Sequence, residues 1–483
     1  MHRLNRFIRT PEGIALGLLL FAHALAAFFS YGFHHPDEHY QILEFANYWV
    51  GLVPDASGLP WEFAAQIRPW FQPMLHGVAM KFALLINLYN PFTLVYLFRL
   101  AYAGLNVWVM WALWIEFKKR YQLNPIWFLW ISLIWFFPYI HVRTSSENLA
   151  GIFLSFAFVL YLRNRSLFWI GILFGLSFIS RFQVALGIFG FGLFLLFKDR
   201  KITKQQILLF VGFLLPVGLG FLLDRLGYGN WVFTPYRYFK VNLVDGVAAT
   251  FNPYPWYQYF IWILQLNPFV SIPLFAGCVL YFKRTRIDGT SAFVIAFFVL
   301  HLLITNKEYR FLFPILNLVP FLAAVGLQSL TTVLQSKRNL GLYTVINFIA
   351  FSVSTLRGAS VEKLWAMQVV NRYATPGEIW LSNRNYQDDF LRGYYRLPEH
   401  HIILFHDGAE LESELQTELK TRPDVHVLVD GHLVDQPTQS MLATIKRHHC
   451  QMLTSARPAV IFKFREIFPA VDRLSFKAVY RCR

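Results

Sequence analysis

Residues 34–41 read His-His-Pro-Asp-Glu-His-Tyr-Gln, two adjacent carboxylates flanked by histidines just past the first long apolar stretch. Acids are costly beside a bilayer, so a carboxylate pair placed there points to a function. The chemistry it suits is proton abstraction: a carboxylate takes the proton of an acceptor hydroxyl while cations receive a departing anion. Asp37 is the expected base; a helix cap or a partner for Arg68 is the plainer reading. Glu38 would orient the acceptor or pair with a cation. His35 and His39 would contact substrate. The pattern His-x-Asp-Glu-His matches no strong zinc spacing, so metal-independent chemistry without a cofactor is expected.

Cations gather in other stretches between apolar runs. Lys307 and Arg310 (in Asn-Lys-Glu-Tyr-Arg-Phe) and Arg237 and Lys240 (in Tyr-Arg-Tyr-Phe-Lys) are candidate phosphate ligands, because Arg and Lys make strong charge-assisted bonds to phosphate. The alternative is that Lys307 and Arg310 anchor span ends by snorkelling. Glu308 would neutralise one of them. Arg68, Arg143 and Arg181 would shape the site or pair with Glu62 and Glu147. Trp61, Trp231 and Trp256 would stack on sugar faces or anchor in the interface.

The elements that must position these groups are membrane helices. The 483-residue chain is 56% hydrophobic and 18% aromatic, with 50 Phe and 15 Trp, above the apolar share of ordinary soluble domains. Its net charge of +16 lies mostly between apolar runs, where it reads as topology signal and anionic-lipid contact, not as nucleic-acid binding. Stretches of spanning length fall near 12–31, 92–116, 125–142, 147–162, 167–181, 183–198, 205–223, 256–282, 290–305, 311–334 and 340–357, about eleven in all. The stretch 74–90 reads as an interfacial helix. Basic clusters at 3–9, 118–120, 163–165, 198–204, 283–286 and 337–338 fall in alternate loops, which the positive-inside rule makes cytoplasmic. The first span reads as retained, since no small-residue cleavage site precedes His34. The acids and the remaining cations then share the outer face, chiefly in loop 32–91. That face is periplasmic in a bacterial plasma membrane or luminal in the endoplasmic reticulum. A convergence of outer cations calls for an anion, and a lipid phosphate is the nearest candidate.

Residues 1–357 thus form an all-α polytopic membrane domain, and 358–483 a small extracytoplasmic α/β domain. In the tail, Ile402–Phe405, Val425–Val429 and Val460–Phe464 read as strands, and Glu410–Lys420 and Thr438–Arg447 as helices. No Gly-rich phosphate loop occurs in it. Cys450 and Cys482 stand where they could pair, though spacing alone does not decide it.

Five blocks in order resemble glycosyltransferase family 22, polytopic α-mannosyltransferases that use dolichyl-phosphate-mannose in GPI-anchor and N-glycan precursor assembly. HPDEHYQ (35–41 with its leading His34) resembles the family's HPDE signature. LPWEFAAQIRPWFQP (59–73) is similar to T-W-E-W…I-R-S, and VRTSSENLA (142–150) to R-T-x-S-N-x-x-E. YGNWVFTPYRYFKVN (228–242) with NPYPWYQYF (252–260) resembles Y-G-x-W-V-x-T-P-x-N-F and H-P-W-H-W-Y. NKEYRFLFPILNL (306–318) is similar to H-K-E-x-R-F-x-x-P, with Asn306 in place of His. The resemblance spans most of 30–330. It implies a GT-C fold and inverting mannosyl transfer from a polyprenyl-phosphate-mannose donor to a glycolipid acceptor, with an Asp base in the first outer loop, here Asp37. The missing histidines at 252 and 306 leave room for a different sugar. A transporter of lipid-linked sugars is the reading from another class; internal repeats and mid-span charges would mark it, and neither is seen.

Overall fold

The computed structural model describes residues 7–30, 32–53, 55–356, 364–365, 368–369, 372–373, 378–383, 401–432, 435–455 and 475–483. The chain divides into two compact units, Met1–Ala359 and Ser360–Arg483.

The first unit is helical. Its main helices are α1 (Pro11–Phe29), α2 (Phe71–Leu85), α3 (Pro91–Tyr121), α4 (Ser146–Leu162), α5 (Leu167–Ser180), α6 (Ala185–Asp199), α7 (Lys204–Tyr228), α8 (Pro268–Arg284), α9 (Gly289–Leu303), α10 (Val319–Gly326) and α11 (Lys337–Leu356). Their starts are written in the sequence. Thr10, Asn90, Ser145 and Asp288 each accept a hydrogen bond from a first-turn amide, and Thr203 with Gln206 forms a capping box on α7. The interfacial stretch expected near 74–90 is the 15-residue α2.

Helix occupies every one of the eleven expected stretches, yet among the described residues four helices are long and apolar enough to cross a membrane: α1, α3, Phe182–Asp199 and α7. Tyr309–Leu316 and α10 together make a further candidate, bent by 68°. Three stretches read as continuous are broken. Residues 125–142 fold as Ile126–Ser132 and Phe136–His141, and 256–282 as Gln258–Gln265 and α8. Residues 311–334 fold as several short pieces. Prolines explain the interruptions: Pro138, Pro268 and Pro320 each withhold an amide and crowd the carbonyl four residues back, at Ile134, Leu264 and Leu316.

Trp114, Phe128, Phe158, Phe293 and Phe321 lie in one buried core drawn from α3, the short helix after it, α4, α9 and α10. The α5–α7 contact is closer than side chains allow. A Cβ on Gly171 would stand 2.1 Å from Leu209 O, and one on Gly212 2.2 Å from Phe168 O. Gly212→Val is therefore expected to force the two backbones apart and cost about 1–3 kcal/mol. A lowered thermal midpoint of the detergent-solubilised protein would show this.

A buried chain of amides and imidazoles crosses the bundle. His141 Nε2 bonds Asn317 Oδ1 (2.8 Å), Asn317 Nδ2 donates to Asn106 Oδ1 (3.2 Å), and Asn106 Nδ2 donates to Asn148 Oδ1 (3.0 Å). Asn148 Nδ2 then donates to the carbonyls of His141 and Arg143 (3.0 and 2.7 Å), fixing the turn that opens α4.

The second unit holds a five-stranded sheet in the order β2-β1-β3-β5-β4: β1 Ile379–Ser382, β2 His401–Leu404, β3 Val425–His432, β4 Gln451–Ser455 and β5 Ser475–Cys482. β1 runs parallel to β2 and β3, and β5 lies antiparallel between β3 and β4. α12 (Gly408–Glu418) and α13 (Gln436–Arg447) sit at the expected helical stretches. The strand expected at 460–464 lies outside the described residues. β5 escaped notice because Lys477 and Arg481 interrupt its apolar pattern; Lys477 is buried against Asp430 (3.0 Å). Cys450 and Cys482 form a disulfide.

Candidate active site

After α1 the chain turns through Pro36–Glu38, whose proline suits the first position of a helix. His35 Nδ1 caps the turn, accepting from the Asp37 amide (3.2 Å). Glu38 points inward. Its carboxylate accepts from the amides of His34 (2.8 Å) and Thr144 (2.7 Å) and from Thr144 Oγ1 (3.2 Å), joining the first loop to the turn before α4. Burial raises its pKa, against the pull of Arg143 and of those bonds.

Asp37 faces a cavity of about 480 Å³, whose wall also includes His35, Trp61, Glu62, Arg68, Arg181, Tyr238, Asn252, Asn306, Glu308 and Arg310. That volume falls within the range of ligand sites. Arg310, from the first turn of the bent pair, is the hub. Its Nη2 lies 2.8 Å from Asp37 Oδ2, its Nη1 3.1 Å from Glu147 Oε1, and its Nε donates to Glu308. Arg181 Nη2 reaches Glu147 as well (3.2 Å), and His35 Nε2 stands 3.4 Å from Glu308 Oε2. On the other side Arg68 Nη2 lies 3.8 Å from Asp37 Oδ2 and 3.4 Å from Glu62 Oε1, to which Gln41 Nε2 donates (2.7 Å). Burial by itself would raise the Asp37 pKa. Arg310, His35 and Arg68 outweigh it and hold the carboxyl well below its ordinary value.

Arg68 is placed by backbone contacts. Tyr228 OH accepts from its amide (3.3 Å) and donates to its carbonyl (2.8 Å), and Asp224 accepts from the Trp70 amide (2.9 Å), which pins the 60–73 loop to the end of α7. Its Nε is buried with no hydrogen-bond partner among the described residues. Arg68 thus pairs with carboxylates at longer range (3.4 and 3.8 Å), whereas Arg310 is occupied by three carboxylates.

The structure brings Asp37, His35, Trp61, Glu62, Arg68, Arg181, Glu308 and Arg310 together on one wall and places the other candidates off it. Glu38 is a buried tie between loops. His39 is buried, bonded to Glu44 (2.8 Å) and stacked on Phe33. Arg143 donates to Ser30, to Gly32 O (3.0 Å) and to Tyr139 O (3.1 Å), and so braces the exit of α1. Lys307 is buried and donates to Ile304 O, off the cavity wall. Arg237 and Lys240 are exposed and off the cavity wall, and Lys240 pairs with Asp245 (3.2 Å). Trp61 lies at the rim, stacked on Phe251 (6.2 Å, 16°), while Trp231 packs on Phe221 away from it. Sequence reading of single residues missed Gln41, Gln183, Tyr238 and Asn242; Gln41 and Tyr238 lie inside the quoted blocks, and Gln183 follows Arg181 by two.

A family model described as the Alg9-like mannosyltransferase family matches residues 14–385, through every segment of this wall. The chain belongs to the Alg9-like mannosyltransferase family. Among curated relatives of this family member, GPI alpha-1,2-mannosyltransferase 3 of Bos taurus is 25% identical over 309 residues, covering 62% of this chain and 56% of the relative. GPI mannosyltransferase 3 of Drosophila melanogaster is 26% identical over 317 residues (62% and 54%). Mannosyltransferase APTG1 of Arabidopsis thaliana is 25% identical over 336 (64% and 57%). The matched region thus spans little more than half the length of these relatives. The solved structure of ArnT from Cupriavidus metallidurans bound to undecaprenyl phosphate superimposes with a TM-score of 0.53 over 97% of both chains at 10% identity. That likeness carries the fold alone.

Proposed function

We propose that this Alg9-like protein transfers mannose from a polyprenyl-phosphate-mannose donor to a hydroxyl of a glycolipid acceptor, with inversion at the anomeric carbon. Asp37 takes the proton of the acceptor hydroxyl as its oxygen bonds to the anomeric carbon. The bond from that carbon to the phosphate oxygen breaks, and the electron pair leaves with the polyprenyl phosphate. Arg68, on the cavity wall and 3.8 Å from Asp37, receives the phosphate; Arg310 and Arg181 keep the surrounding carboxylates in charge balance. The observation that carries this reading is the Asp37 carboxylate on a cavity wall between guanidiniums contributed by the 60–73 and 306–310 segments.

A base held by Arg310 is weak at rest. Phosphate entering beside Arg68 competes for the cations on Asp37 and so returns basicity to it when the donor is in place. The guanidiniums meet the leaving charge, so transfer proceeds without a divalent ion. The disulfide in the second unit suits an oxidising compartment. It supports a periplasmic or luminal location for the tail.

Incubating the purified protein, with EDTA present, with polyprenyl-phosphate mannose, glucose and arabinose donors tests the assignment. Mannolipid product is expected. A second reading, a different sugar on the same carrier, rests on Asn252 and Asn306, which stand on the cavity wall where the family blocks have His. Preference for the glucose or arabinose donor would favour it over mannose.

A further inference from the structure

The far ends of α3 and α4 enclose a second concavity. Glu116, Lys119 and Arg120 from the last turns of α3, with Arg163, Asn164 and Arg165 from the end of α4, line about 800 Å³. α4 is 17 residues long, so about 25 Å of helix separates this region from Glu147 in the acid–guanidinium cluster.

Four cations share this wall with one carboxylate. Two are fixed: Arg163 Nε donates to Glu116 Oε1 (2.7 Å), and Arg120 Nη2 lies 3.3 Å from Asp288 Oδ2. Lys119 and Arg165 are exposed, and their side chains have no ion pair or hydrogen bond among the described residues. Basic residues at helix ends ordinarily serve the open carbonyls there. Here the polar partners of the fixed pair are Glu116 and Asp288, not helix-end carbonyls, which leaves Lys119 and Arg165 as the lining cations whose charge is not offset by an ion pair among the described residues.

An apolar track leads into it. Trp108 and Ile115 are exposed on α3 seven residues apart, and Lys119 follows Ile115 by four, so all three lie on one helix face. Trp108 packs edge-on against Phe156 of α4 (4.8 Å, 68°), which sets the track along the α3–α4 groove. A phosphate ester alone would use the cations and leave the track empty. A lipid uses both, its phosphate on the cations and a chain on the track; cations of this kind recognise anionic headgroups.

We propose that this concavity binds the headgroup phosphate of an anionic phospholipid, with one acyl chain lying along Ile115 and Trp108. The test is native mass spectrometry of the full chain, reconstituted in phosphatidylcholine nanodiscs carrying a minor fraction of phosphatidylglycerol and then released into detergent. Wild-type protein is expected to retain phosphatidylglycerol. Lys119→Gln with Arg165→Gln, which disturbs no ion pair, is expected to lower that retention about tenfold or more, and Lys119→Arg with Arg165→Lys to preserve it. Deacylated glycerophosphoglycerol should fail to displace the lipid. Wild-type retention in the double Gln variant overturns the proposal, as does displacement by the deacylated ester at matched concentration.

Discussion

Asp37→Asn is expected to lower kcat by about 10²–10⁴-fold, the worth of a positioned general base, in a protein that still folds and inserts. The substitution keeps the side chain's shape and leaves Arg310 Nη2 an oxygen to bond at the position now 2.8 Å away. The measurement is mannosyl transfer under single-turnover conditions beside the melting profile of the same preparation. Full activity in the variant would remove Asp37 from the chemistry. The pH dependence carries a second readout. Asp37 has its pKa lowered in the fold, so its ion pairs contribute stability that is fully present above the ordinary value of 3.8 and lost as pH falls through the lower folded value. The difference in melting point between wild type and Asp37→Asn should therefore shrink on acidification below about pH 4.

Arg310→Gln is expected to be the most damaging single change in the cavity. It takes the shared cation from Asp37, Glu147 and Glu308, and stripping one partner from a buried pair costs about 3–5 kcal/mol. Arg181 still reaches Glu147, and Arg68 stands 3.8 Å from Asp37, so the loss falls hardest on Glu308 and on the register of the 306–310 turn. Arg310→Lys separates charge from geometry. An ammonium restores one positive charge but cannot present the planar fork that meets three carboxylates at once. Partial recovery of the melting point with little recovery of transfer is the expected outcome. Equal recovery of both would show that charge alone is required there.

Much of this site could be read from residue types. Acids and cations outside apolar runs announced themselves because water-facing ends of membrane helices otherwise carry few buried charges, and five short blocks in order gave the family. What could not be read was direction. Asp37 and Glu38 are neighbours in one turn, yet one faces the cavity and the other the backbone of Thr144. Nothing in two adjacent carboxylates distinguishes them. Arg143 and Arg310 are both arginines between apolar runs. The first is consumed by backbone carbonyls and the second by carboxylates, a difference set by the distant Ser30, Gly32 and Asp37. Hydropathy also hid the helix breaks, because proline interrupts hydrogen bonding without lowering the apolar character of a window.

The His141–Asn317–Asn106–Asn148 chain limits how this scaffold can be rebuilt. Each donor has a matching acceptor on a different segment, and the carbonyls of His141 and Arg143 fix which way the last amide must face. Exchanging one of these segments for its counterpart from a relative with another residue there strands a polar group in hydrocarbon surroundings. Chimaeras of this protein should therefore be cut so that all four positions travel as a set, and libraries that randomise one of them should co-randomise the other three.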